Sequence, residues 1–283
     1  MAADPAPAAA KRPRALILGC AGERLDAAER DFFAAAEPLG FILFRRNCGN
    51  PAQLRDLVAA LRDSVGRPDA PVLIDQEGGR VARLQPPHWR RYPAPARIAA
   101  LPDPSAEEAA WLGARLIADD LAALGITVDC LPVLDLAMAG ADPVIGDRAY
   151  GDAPERVVRL AGAVARGLLD GGVLPVVKHI PGHGRARVDS HFACPVVDTR
   201  RDELSRTDFA PFRALAHLPW AMTAHIVYAA IDRGAPATVS PVVIGEIIRG
   251  EIGFEGVLVS DDLSMRALGR ALRGGLAGRA ARA

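Results

Sequence analysis

The chain has 283 residues, half of them apolar, and its 34 Lys and Arg balance its 34 Asp and Glu. A neutral chain of this size can bury a large core in one or two domains or a single α/β barrel, and it carries no overall field to favour nucleic acid or an anionic membrane. Cys20, Cys48, Cys130 and Cys194 form no C-x-x-C pair, which argues against a disulfide framework and for a reducing, cytoplasmic setting.

Residues 1–14 place alanines before the basic residues and hold no continuous apolar run, the wrong order for a secretory signal; they are expected to be a disordered leader. No apolar stretch approaches the roughly 18 residues of a membrane span. From there, short β-rich apolar runs at 15–19, 41–44, 71–75, 126–135, 173–179, 220–228 and 256–261 alternate with helical periodicities at 27–37, 53–64, 105–124, 154–170, 208–217 and 241–249. Ser105 followed by Glu108 predicts a capping box, Pro154 and Pro241 suit helix starts, and Gly125 and Gly171 sit where left-handed helix ends are expected. Repetition of β then α predicts a parallel sheet covered by helices. Asp75, Asp135, Lys178, His179, His225 and Asp261 collect at the C-terminal ends of five different strands. An open doubly wound sheet concentrates its ligand groups at one switch point, whereas a barrel lets nearly every strand reach one mouth. The predicted fold is therefore α/β, a TIM-type (β/α)8 barrel over residues 15–268. Only seven strand candidates exist, so the eighth β/α unit is expected to be missing, with an Arg/Gly/Ala-rich tail at 269–283.

Four stretches carry chemistry. Asp75-Gln76-Glu77-Gly78-Gly79-Arg80-Val81-Ala82-Arg83 puts a carboxylate, glycines and two arginines after the third strand, a pattern suited to a hydroxyl-rich ligand or to a turn aspartate with surface arginines. The long segment 85–104 carries His88, Trp89 and Tyr92, which suit stacking on a sugar or packing on the barrel. Arg148, in a polar turn after the fourth strand, suits either a substrate hydroxyl or an ion pair. Lys178 to His191, KHIPGHGRARVDSH, holds three of the six histidines. It admits a metal site from His179, His183, His191 and Asp189, a Ser190–His191 hydrolase, or an Asp189-x-His191 acid/base dyad. Pro181 and Gly182 keep the histidines off one helix face, and no G-x-S-x-G accompanies Ser190. His183, between glycines, suits a loop role. Ser260-Asp261-Asp262 ends the seventh strand, with Asp262 suited to a helix cap and Asp261 left free to act as a nucleophile.

IDQEGGRVARL, KHIPGHGRARVDSH, MTAHIVY and GVLVSDDLSM, in this order and spacing, resemble the bacterial β-N-acetylhexosaminidases of glycoside hydrolase family 3, over about residues 15–268. The resemblance implies a (β/α)8 barrel and a retaining exo-β-N-acetylglucosaminidase. It implies Asp261 as nucleophile, Asp189 and His191 as a mobile acid/base dyad, and Asp75, Arg83, Arg148, Lys178 and His179 as holders of the N-acetylglucosamine ring. It further implies no metal or organic cofactor, and a cytoplasmic muropeptide substrate, N-acetylglucosamine on anhydro-N-acetylmuramic acid with or without peptide. The family continues past SDDLSM into an eighth strand, where this chain has its Arg/Gly/Ala tail. Unpaired edges on the first and seventh strands would then lower stability, and would allow an otherwise monomeric chain to self-associate through those edges. A phosphorylase on the same fold and a truncated, inactive sugar-binding barrel are the alternatives.

Overall fold

The structure, a computed structural model, describes residues 12–189, 193–271 and 274–283. Seven parallel strands form one sheet: β1 (Arg14–Leu18), β2 (Pro38–Leu43), β3 (Val72–Ile74), β4 (Val128–Asp129), β5 (Leu174–Ile180), β6 (Trp220–Thr223) and β7 (Val257–Ser260). Their order in space is their order in sequence. A doubly wound sheet reverses its strand order at the switch point; here there is no reversal, and the sheet is the wall of a TIM-like barrel. Among the described residues β1 and β7 end the sheet, and both are partly exposed, whereas β3 and β6 are buried throughout.

Alternation along the strands separates two apolar layers. Val72 and Ile74 of β3 join the large core beneath the helices, while Leu73 joins Val128, Cys130, Val176, Trp220 and Met222 on the other face. The leading helices are α1 (Ala27–Ala36), α2 (Pro51–Ser64), α3 (Ser105–Ala122) and α4 (Pro154–Asp170). Asp26 with Glu29 and Asn50 with Gln53 close capping boxes on α1 and α2. In α4, Val157, Leu160, Ala161, Val164 and Leu168 make one buried stripe. The backbones of α3 and α4 approach closely, because a Cβ on Gly167 would strike the Trp111 carbonyl and one on Gly171 would strike Ala118.

Local expectations fail in instructive ways. Ser105 caps nothing: Pro104 already has helical backbone, its carbonyl accepts from Glu107 and Glu108, and Ser105 is drawn inside the helix. Gly171 is not left-handed (φ −91°), because the helix ladder continues through its N–H to Gly167; the positive φ falls on Gly172. Helix 208–217 shortens to Phe209–Ala214 with a separate turn of helix at Arg201–Arg206, and 241–249 becomes a π-helix, Val243–Glu251. Two short helices close the chain: Arg266–Ala271, which runs into the Arg/Gly/Ala tail, and Gly275–Ala280 within it. Among the described residues no helix is long and apolar enough to cross a membrane.

Candidate active site

Five parallel strands bring their C-terminal ends to one mouth, and Lys178 is buried there. Its side chain is 1% exposed, and its Nζ lies 2.7 Å from both Asp75 Oδ1 and Glu77 Oε1. Arg83 donates to the other oxygen of Asp75 at 2.9 Å. Arg148, in the turn Gly146–Arg148, makes a two-pronged pair with Glu77 at 2.8 Å on each prong. Burial alone would push Asp75 and Glu77 up; Lys178 with Arg83, and Lys178 with Arg148, hold them below the usual carboxylate range instead. Burial likewise opposes the charge on Lys178, and Asp75 and Glu77 more than restore it. Three cations thus surround two carboxylates, all five charged. Arg83 Nε is itself buried and has no hydrogen-bond partner among the described residues.

Behind this network His179 Nδ1 lies 2.6 Å from Asp135 Oδ2, and Asp135 Oδ1 accepts the His183 N–H at 2.6 Å. Lys178 and His179 are adjacent in sequence and would face opposite ways in an ideal strand. The register with β6 shifts between Lys178 and Ile180, so alternation fails where both residues are needed. The His183 ring packs edge-on to His179 at 5.6 Å, and burial, then His179, pushes it down to about 4, so it is neutral at pH 7.

The base of the loop is clamped. Tyr228 donates to the Gly182 carbonyl at 2.5 Å, Arg185 pairs with Asp208 at 2.7 Å and Glu203 at 2.9 Å, and Asp142 N–H donates to the Ala186 carbonyl at 2.8 Å. Gly184 lies against the backbone of Leu136, where any Cβ would overlap the carbonyl oxygen. Gly184→Ala is therefore expected to cost about 1–3 kcal/mol by overpacking. Gly113→Ala, on α3 with open space around its Cβ, should gain about 0.5–1 kcal/mol. Thermal melting of both variants checks this, and equal shifts would contradict the clamp.

Asp261 follows β7, half-buried, and its Oδ1 accepts the Asp262 N–H at 2.8 Å. Burial opposes its charge, but His179 and His225, then the Asp262 N–H and Lys178, hold its carboxyl below the usual range, so it is a carboxylate at neutral pH. Asp262 is exposed and accepts from Ser264 N–H at 2.7 Å, a turn cap. Asp189 lies beyond the clamped base, half-buried; Ser190 and His191 lie outside the described residues, so the expected dyad does too. The mouth therefore joins Asp75, Arg83, Arg148, Lys178, His179 and Asp261. Tyr92 is buried and donates to Asp120 at 2.5 Å, which makes the segment 85–104 packing in that part.

This geometry, an ionised carboxylate at the last strand end facing a buried cationic cluster, invites comparison with known proteins. Residues 18–283 match the glycosyl hydrolase family 3 N terminal domain. The chain belongs to glycosyl hydrolase family 3. It is 43% identical over 261 residues to a beta-hexosaminidase of Alkalilimnicola ehrlichii, covering 90% of this chain and 74% of that protein. It is 42% identical over 251 residues to a beta-hexosaminidase of Pseudomonas aeruginosa, covering 88% and 74%. Among solved structures, a family 3 beta-N-acetylglucosaminidase from Paenibacillus superposes with a TM-score of 0.86 at 37% identity, over 94% of this chain and 51% of that one. NagZ from Neisseria gonorrhoeae superposes with a TM-score of 0.83 at 39% identity, over 89% and 75%. The chain thus spans about three quarters of the beta-hexosaminidases and about half of the Paenibacillus enzyme.

Two residues at this mouth appear in the sequence without an assigned site role. Glu77 joins Lys178 to Arg148, and its spacing of two from Asp75 was the available signal, since i and i+2 share a face in extended chain. Asp135 orients His179 and was visible only as a strand-end carboxylate. Arg148, read as hydroxyl ligand or ion-pair partner, is an ion-pair partner here, of a glutamate 71 residues away.

Proposed function

We propose that this chain is a retaining exo-β-N-acetylglucosaminidase. The observation that carries the reading is Asp261, ionised and half-buried at the mouth beside His179, Lys178 and their carboxylates; the beta-hexosaminidases among its relatives support it. In the first step an Asp261 carboxylate oxygen attacks the anomeric carbon, the glycosidic C–O bond breaks, and His191 gives its proton to the leaving oxygen. In the second, water loses a proton to His191 as it attacks the same carbon, and the Asp261 ester bond breaks. Asp189 orients the imidazole. Asp75, Arg83, Arg148, Lys178 and His179 hold the N-acetylglucosamine ring. The natural substrate is a cytoplasmic peptidoglycan fragment, N-acetylglucosamine on anhydro-N-acetylmuramic acid with or without peptide.

The test is release of 4-nitrophenol from its N-acetyl-β-glucosaminide in a phosphate-free buffer containing chelator, with the product anomer followed by NMR. Turnover with the β-anomer formed first is the expected result. Initial α-anomer would overturn the double displacement, a requirement for phosphate would indicate a phosphorylase, and loss on chelation restored by zinc would indicate metal-assisted hydrolysis.

A further inference from the structure

We propose that His225 is a positioning residue, which ties the chain after β7, and with it the Asp261 carboxylate, to a pair of buried threonine hydroxyls. The inference rests on Asp261 being the nucleophile and assigns a role to a residue outside the sugar-holding set. Thr223 ends β6, His225 follows it, and Thr238 lies in the turn Ala237–Val239; their exposures are 2%, 0% and 3%. Thr223 Oγ1 donates to Thr238 Oγ1 at 2.9 Å, Thr238 Oγ1 is 2.7 Å from His225 Nδ1, and His225 Nε2 is 3.1 Å from the Asp262 carbonyl oxygen. The same Asp262 gives its N–H to Asp261 Oδ1 at 2.8 Å. The relay therefore runs from the floor beneath β6 to one oxygen of the proposed nucleophile.

Proton counting fixes its direction. A carbonyl oxygen only accepts, so His225 Nε2 carries a proton. Thr238 has one hydroxyl proton and two neighbours able to take it, His225 Nδ1 at 2.7 Å and the Ala224 carbonyl at 3.1 Å. Burial lowers the His225 pKa, with Asp261 raising it and His179 lowering it further, so the ring is neutral and Nδ1 is bare. The Thr238 proton then goes to Nδ1, and each hydroxyl donates once, in one direction. A fixed tautomer held between two partners also fixes the ring orientation. His225 is too enclosed to reach substrate itself. What it supplies is placement, and a misplacement of about 1 Å can cost about 100-fold in rate.

The experiment compares His225→Gln, His225→Asn and Thr238→Val in the full chain, reading kcat and KM with the aryl substrate beside thermal melting. The Gln amide nitrogen falls near imidazole Nε2 and keeps the donor to Asp262; the Asn amide ends near Nδ1 and loses it. His225→Asn is expected to lower kcat about 100-fold with KM within about threefold, and His225→Gln to recover at least about tenfold of that loss. Equal loss in Gln and Asn, or loss confined to KM, overturns the proposal. Should the Asn variant fail to fold, Thr238→Val, which removes the proton donated to Nδ1, is expected to lower kcat at unchanged KM; an unchanged kcat overturns it. Absence of turnover in the wild type would count against the glycosidase reading alone. The relay is then judged by the imidazole nitrogen spectrum at pH 7: a proton on Nε2 with Nδ1 bare supports it, and an imidazolium or an Nδ1–H ring overturns it.

Discussion

Asp261→Asn is expected to lower turnover of the aryl N-acetyl-β-glucosaminide at least about a thousandfold, the loss expected on removing the proposed covalent nucleophile, while the melting temperature moves little. The amide oxygen can still accept the Asp262 N–H that Oδ1 now accepts, so the local geometry has no reason to change. What disappears is the negative charge. Burial disfavours that charge, while His179 and Lys178 favour it; removing it takes away both contributions, which leaves a small net effect on stability. The amide nitrogen is not a nucleophile, and the glycosyl ester cannot form. Steady-state kinetics and melting on one preparation check both halves. Retained activity would remove Asp261 from the mechanism, and a collapse in melting temperature would show the carboxylate to be a structural anchor.

The second large effect is on stability. Asp129, the last residue of β4, is fully buried; one oxygen accepts the Gln76 N–H at 2.9 Å and the other has no partner among the described residues. Burial pushes its carboxyl up to about 8, against the lowering effects of the Gln76 N–H and Lys178 and with further raising by Asp75 and Glu77. Between about pH 4 and 8 the folded protein therefore holds a proton that the unfolded chain releases. The unfolded state binds fewer protons, so stability falls as pH rises through that window, by roughly 1 kcal/mol per pH unit and several in all. Below it both states are protonated and above it both are ionised, so the dependence flattens. Asp129→Asn keeps the acceptor for Gln76 and removes the titration. Its melting temperature should exceed that of the wild type at pH 7–8 by the equivalent of several kcal/mol, and the two should converge near pH 4. The depressed carboxylates Asp75, Glu77, Asp135 and Asp261 are common to both proteins and cancel in the difference. Parallel curves from pH 4 to 8 would show that Asp129 is ionised in the fold.

The βα alternation was legible because it rests on local pattern. Apolar runs such as Val173–Val177 and amphipathic stretches such as 154–170 specify strand and helix through local side-chain pattern. Polar residues at strand ends likewise marked the mouth, since the alternative to a functional role for so many is a row of unpaired charges at one edge of a core. Helix ends were less legible. Ser105 and Gly171 are residue types suited to their expected roles, yet the helical backbone of Pro104 and the continued ladder bond from Gly171 N–H to Gly167 moved each boundary by one residue.

By itself, then, the amino-acid order determined the elements, their parallel arrangement and the residues that carry charge at the C-terminal ends, because period, glycine placement and strand-end polarity are properties of short segments. Only the tertiary structure decided who pairs with whom. Lys178 meets Asp75 and Glu77 across about a hundred residues of chain, and Asp135 reaches His179 across 44. His225 meets Asp262 across 37. Such pairings are set by which strands lie side by side and by a register shift at Lys178, and no local propensity encodes either. The same holds for charge: whether Asp129 holds a proton and Asp261 does not depends on buried neighbours that the fold, and nothing nearer in sequence, brings to each.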